Sequence, residues 1–123
     1  MASLGAVLVL EDDYLLAAAI AGFVADAGYC VIGPVPGMEQ AQHLINERGI
    51  VAALLDIRLG SDDRSFELAA RLQAMRVPFA FVTGYPRLLP IAFQNIACIG
   101  KPLSREELEG VLSKIVGNTR SLG

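Results

Sequence analysis

The stretch Val51-Ala52-Ala53-Leu54-Leu55-Asp56 decides the fold. It is an unbroken apolar run of strand length, closed by a single carboxylate. Continuous apolar strands mark a parallel sheet that is covered on both faces. The pattern opens the chain, where Ala6-Val7-Leu8-Val9-Leu10 runs into Glu11-Asp12-Asp13. It returns near the end, where Ile96-Ala97-Cys98-Ile99-Gly100 delivers Lys101-Pro102. Strand-like runs ending in acid, acid and lysine predict one charged pocket on one edge of the sheet. Such a pocket suits a metal ion and a phosphoryl group.

Outward from that run, strand-length and helix-period segments alternate. Strands are predicted over about 6–10, 29–33, 51–56, 78–82 and 96–99, the second broken by Gly33-Pro34. The first helix is predicted over 14–27, with an apolar stripe at Leu16, Ile20, Phe23 and Ala27 and a stop at Gly28. The second covers about 38–48 and ends at Gly49. A polar loop, Gly60-Ser61-Asp62-Asp63-Arg64, leads to a third helix over 65–75 with Ser65 as N-cap. Gly84, Pro86 and Pro90 leave room for only a short fourth helix near 88–94. A fifth begins at Ser104, where Ser104-Arg105-Glu106-Glu107 reads as a capping box, and its apolar face is Leu108, Val111, Leu112 and Ile115. Residues 5–117 are expected to be ordered and 118–123 to form a frayed tail, so that 1–123 is one domain.

This succession implies an α/β fold with a doubly wound, five-stranded parallel sheet and helices on both faces. In the order 2-1-3-4-5 the chain switches direction between the first and third strands. Ligands bind at that switch, beyond the carboxyl ends of the strands. Those are the two strands that end in carboxylates.

Composition narrows the function classes. Hydrophobic residues make up 54% of 123 residues, which argues against disorder. A net charge of −3, with no Lys/Arg cluster, gives no field for nucleic acid. Cys30 and Cys98 fall in predicted buried strands and read as small core residues. A lone His43 cannot build a histidine metal site, and its helix position suggests the surface. No apolar run reaches the length of a membrane span, and the N-terminus lacks a basic signal-peptide region. A cytoplasmic location is the expectation.

Clustered Glu11, Asp12 and Asp56 carboxylates oppose one another's ionisation, and a hard divalent cation relieves this. Mg²⁺ prefers carboxylate, carbonyl and water oxygens and keeps waters beside phosphate. Lys101 adds a compact positive charge for a phosphoryl oxygen. Thr83 follows the fourth strand directly, and Gly84 leaves space for a ligand near the backbone. With these parts Asp56 is the natural nucleophile, forming an aspartyl phosphate. Lys101 and Mg²⁺ would offset charge on the equatorial oxygens, and Thr83 would hydrogen-bond one of them.

Leu10-Glu11-Asp12-Asp13, Leu54-Leu55-Asp56, Val82-Thr83-Gly84 and Lys101-Pro102 together resemble the receiver domain of two-component response regulators. The resemblance runs from Val7 to about Val116. It implies a flavodoxin-like fold and transfer of phosphate to Asp56 from a sensor histidine kinase or a phosphotransfer protein. It implies a Mg²⁺ site made by Glu11, Asp12, Asp56 and the main-chain carbonyl of Arg58, with Asp12 a direct ligand. It also implies a cis Lys101-Pro102 peptide and a kinase-docking role for the exposed part of the first helix. Asp13, one position past the acidic pair, is expected to cap that helix. A downstream protein partner is expected but not named by the sequence; nucleic acid and membrane are not expected partners.

Two features depart from the family pattern. Most receivers carry Tyr or Phe three residues before the lysine, as a ring that moves on activation. Here the residue is Cys98. The segment from Thr83 to Lys101 is also short. With Phe81-Val82-Thr83-Gly84-Tyr85, both resemble a small F-x-T-G-Y subgroup common in alphaproteobacteria. In that setting Tyr85 is a candidate replacement for the moving ring. The chain thus reads as a single-domain response regulator, with no output domain after the last helix.

Other functions fit less well. Aspartate-based phosphohydrolases resemble D-x-D after the first strand, whereas Asp56-Ile57-Arg58 lacks the second acid and follows the third. A flavin-binding protein of this fold would want a Ser/Thr/Gly-rich phosphate loop where Glu11-Asp12-Asp13 stands. A receiver that binds partners without phosphorylation is the alternative, and the complete acid–Thr–Lys set argues against it.

Overall fold

Three inner strands, β1 (Ala6–Leu10), β3 (Ala52–Asp56) and β6 (Phe79–Thr83), show how the core is divided. Side chains along a strand alternate between faces. Leu8, Leu10, Ala53, Leu55, Phe79 and Phe81 join one buried cluster, while Val7, Val9, Ala52, Leu54, Ala80 and Val82 join another. A strand buried on both faces needs apolar residues at every position, which is why these runs are unbroken. The computed structural model describes residues 3–47, 49–59, 63–84 and 89–122.

The remaining elements follow from this division. The strands β2 (Cys30–Val35) and β7 (Cys98–Gly100) form the edges of the sheet. Its order is β2-β1-β3-β6-β7, with every pairing parallel. This is the expected 2-1-3-4-5 order when the sheet strands alone are counted. α2 (Met38–Glu47) and α3 (Phe66–Ala74) cover the first cluster through Ala41, Ile45, Leu68, Ala69 and Leu72. α1 (Tyr14–Asp26) and α4 (Arg105–Leu122) cover the second through Ile20, Val24, Leu108, Leu112 and Val116. Four of the five phenylalanines, Phe66, Phe79, Phe81 and Phe93, pack as one aromatic group on the α2/α3 side. The Phe66 and Phe93 rings stack at 5.8 Å between centroids, and Phe81 meets each of them edge-on.

Several boundaries differ from the sequence expectation. β2 does not stop at Gly33-Pro34 but continues to Val35, with a register shift that pairs Leu10 with Val35. Gly33 makes this possible at φ +96°, where a Cβ would meet Val35 N at 2.8 Å and Val9 O at 3.0 Å. Cys30 is exposed rather than buried, because β2 is an edge strand, and Cys98 is half-buried; both are free thiols. The buried line of α1 is Ala17, Ile20 and Val24; Leu16, Phe23 and Ala27 lie only half-buried beside it. Part of the predicted polar loop forms a small antiparallel hairpin, β4 (Arg58–Leu59) with β5 (Asp63–Arg64); residues 60–62 lie outside the described residues. The fourth helix is reduced to a 3₁₀ turn, Ile91–Phe93, with residue 88 outside the described residues. The last strand begins at Cys98 rather than 96, and α4 runs to Leu122 rather than fraying from 118. Ser65 stands at the N-cap of α3, yet its buried hydroxyl makes no capping bond.

Candidate functional site

Strand register brings the charged residues together. Leu10 is in register with Leu55, so Glu11 follows beside Asp56. Asp56 is in register with Val82, so Thr83 stands one step beyond. Thr83 is in register with Gly100, and Lys101 comes next. All four leave the same edge of the sheet. Glu11, Asp56 and Thr83 are buried, at 3%, 7% and 2% exposure, whereas Asp12 is exposed.

Lys101 Nζ lies 3.4 Å from Glu11 Oε1 and 3.6 Å from Asp56 Oδ1. Glu11 Oε2 accepts a hydrogen bond from the Asp13 N–H at 3.2 Å. Asp13 caps α1 as expected, its Oδ1 accepting from the Leu16 N–H at 3.1 Å. Ligand oxygens of Glu11, Asp12 and Asp56 lie within 4.8 Å of one another. A cleft of about 340 Å³ opens beside them, lined by Tyr14, Ala17, Ala18, Pro34 and Pro36 as well as Glu11 and Asp12.

The electrostatics follow from burial. Loss of water, then the adjoining Asp56 carboxyl, pushes the Glu11 carboxyl up to about 8, against the pull of the Asp13 N–H and Lys101. A proton on Glu11 can bridge to Asp56. Without that proton, Glu11 Oε1 is a buried oxygen with no hydrogen-bond partner. Its Lys101 contact meets an ion-pair distance but not the geometry of a hydrogen bond. An orphaned buried carboxylate oxygen beside two more carboxylates is the donor set that a hard divalent cation fits.

The structure therefore gathers Glu11, Asp12, Asp56 and Lys101 at one point and places Thr83 on the same edge. Arg58 begins β4, two residues past Asp56; its side chain and Tyr85 lie outside the described residues. The Lys101-Pro102 peptide is cis, as the resemblance implies, and so is Gly33-Pro34, which was not foreseen. Sequence reasoning also missed a Glu107 contact near Lys101. The capping-box pattern flagged Glu107, but as a helix cap.

Comparisons with known proteins agree with the fold. The solution structure of SdrG from Sphingomonas melonis Fr1 superposes with a TM-score of 0.83 at 26% identity, covering 94% of this chain and 99% of that one. The signal receiver domain of a modulated diguanylate cyclase from Desulfovibrio desulfuricans G20 gives 0.83 at 26%, covering 98% and 100%. The response regulator PhyR from Brucella abortus gives 0.84 at 20%, covering 96% of this chain and 50% of PhyR. The chain thus spans about half the length of the PhyR chains from Brucella abortus and Bartonella quintana. No family model and no curated protein matches the sequence. The structural neighbours are receiver domains of response regulators, and this chain shares their flavodoxin-like fold. No helix among the described residues is long and apolar enough to cross a membrane.

Proposed function

We propose that this chain is a phosphoacceptor of a two-component phosphorelay, with Asp56 as the acceptor. The observation that carries the reading is Glu11 Oε1, buried without a hydrogen-bond partner beside Asp56 and Lys101. A site built only for stability would pair that oxygen. The donor would be a phosphohistidine on a sensor histidine kinase or phosphotransfer protein. An Asp56 carboxylate oxygen bonds to phosphorus as the P–N bond breaks, and the imidazole leaves with its electron pair.

Glu11, Asp12, Asp56 and the Arg58 carbonyl would hold Mg²⁺, which supplies charge neutralisation on the phosphoryl oxygens when bound. Lys101, already within ion-pair distance of both buried carboxylates, offsets charge on another oxygen. The Thr83 hydroxyl donates a hydrogen bond to a third. The aspartyl phosphate carries roughly −1.5 to −2 charge in place of the single carboxylate charge of Asp56, and it shifts an equilibrium between conformers that differ in partner binding.

Incubation with acetyl phosphate and Mg²⁺, read by intact mass, tests the reading. The wild type gains one phosphoryl group and Asp56→Asn gains none. Equal labelling of the two proteins, or no labelling of the wild type, would defeat it.

A further inference from the structure

The capping sequence at the start of α4 does not close on itself. Ser104 Oγ accepts from the Glu107 N–H at 3.3 Å and donates to Glu106 Oε2 at 3.1 Å. A full capping box would send the Glu107 carboxylate back to the Ser104 N–H. Instead Glu107 Oε1 accepts from the N–H of Gly100 at 3.3 Å. Gly100 ends β7, is in register with Thr83 and directly precedes Lys101. The carboxylate also lies near Cys98, whose thiol is pushed up by burial first and by Glu107 second. Glu107 therefore sits against the last turn of chain before the lysine. Its neighbour Leu108 is fully buried, so the helix that carries it is anchored in the core.

We propose that Glu107 is a positioning residue for Lys101. Its carboxylate fixes the main chain at Gly100, and hence the root of the side chain that reaches Glu11 and Asp56. The inference rests on the phosphoacceptor reading of the site. Lysine is a flexible four-carbon stem, so its ammonium is only as well placed as its Cα. Gly100 carries no side chain to pack, so its pairing with Thr83 and the Glu107 bond hold the chain at this position. Glu106 stands next to Glu107 but bonds Ser104, which makes it the internal control.

The test compares wild type, Glu107→Ala, Glu107→Gln and Glu106→Ala at saturating acetyl phosphate. Glu107→Ala is expected to slow phosphorylation about three- to tenfold, the loss of one hydrogen bond, with Mg²⁺ affinity unchanged. Glu107→Gln keeps an acceptor oxygen and restores the rate, and Glu106→Ala matches wild type. In ¹⁵N spectra the Gly100 and Lys101 amide resonances shift in Glu107→Ala and return in Glu107→Gln. A wild-type rate in Glu107→Ala, or a Glu107→Gln rate equal to that of Glu107→Ala, overturns the proposal. Unmoved Gly100 and Lys101 resonances overturn it without any phosphorylation, whereas a wild type that takes up no phosphate overturns the reading of the site itself.

Discussion

Lys101 Nζ stands 3.4 Å from Glu11 Oε1, yet that buried oxygen receives no hydrogen bond. The pair is a charge contact with room left at the acid. Glu11 therefore has two ways to be satisfied, by a proton shared with Asp56 or by a cation, and they exclude each other.

Mg²⁺ binding should accordingly be linked to pH. The Glu11 carboxyl is raised to about 8, so a bound cation must displace its proton at neutral pH. Apparent affinity should climb about tenfold per pH unit below that value for one linked proton. Isothermal titration calorimetry between pH 6 and 8, roughly the window this linkage covers, checks it. Glu11→Gln should flatten the dependence as well as weaken binding. A wild-type affinity that ignores pH would count against the linkage.

Metal-free stability should run the other way. The folded chain keeps the Glu11 proton up to about 8, while the unfolded chain loses it near 4.5. The folded state thus binds more protons in this window, so stability falls as pH rises. The contribution is fully present below about 4.5 and is lost through about 8. Thermal melts without Mg²⁺ should show the wild-type Tm dropping across that window relative to Glu11→Gln. Parallel curves for the two proteins would contradict the assignment.

Lys101→Met keeps the stem and removes the charge. Phosphorylation should slow by about 10²-fold, the usual cost of losing one preorganised charge-stabilising group. Mg²⁺ should bind at least as tightly, because a positive charge near the three carboxylates is gone. Calorimetry and single-turnover labelling on one preparation separate the two effects. Loss of both together would mean that Lys101 holds the site's shape rather than its charge balance.

Phe93 is buried against Phe66, Phe79 and Phe81 although it belongs to a 3₁₀ turn rather than a full helix. Phe93→Ala should destabilise the chain by about 3–5 kcal/mol, the range for a buried aromatic deletion. Urea unfolding measures it. A change under about 1 kcal/mol would show that the surroundings collapse into the space.

The inner strands and their acids were legible because burial on both faces leaves no choice of residue. Val51–Asp56 and Ala6–Leu10 could hardly be anything else. Edge elements were harder. At β2 the sequence Gly33-Pro34 looks like a break, and only pairing with β1 carries the strand past it. Cys30 looks like core because its neighbours are apolar, but an edge strand leaves one side open. The hairpin of Arg58–Leu59 with Asp63–Arg64 is too short for any periodic signal. Among site residues, Glu11, Asp12, Asp56 and Lys101 were placed by strand ends alone. The Glu107 contact with Gly100 was not, since the same four-residue pattern normally describes a helix capping itself.

The sheet order also grades the site by durability. Glu11, Asp56 and Thr83 issue from the three inner strands, while Lys101 follows a three-residue strand on the rim. Local opening begins where few neighbours hold the chain, so amide exchange should be fastest along β7 and slowest along β3. Breathing at the rim would withdraw the ammonium while the acids stay in place. Of the charged side chains gathered at this edge among the described residues, the only cation is therefore anchored on the least protected strand of the three that carry acids or lysine into the site.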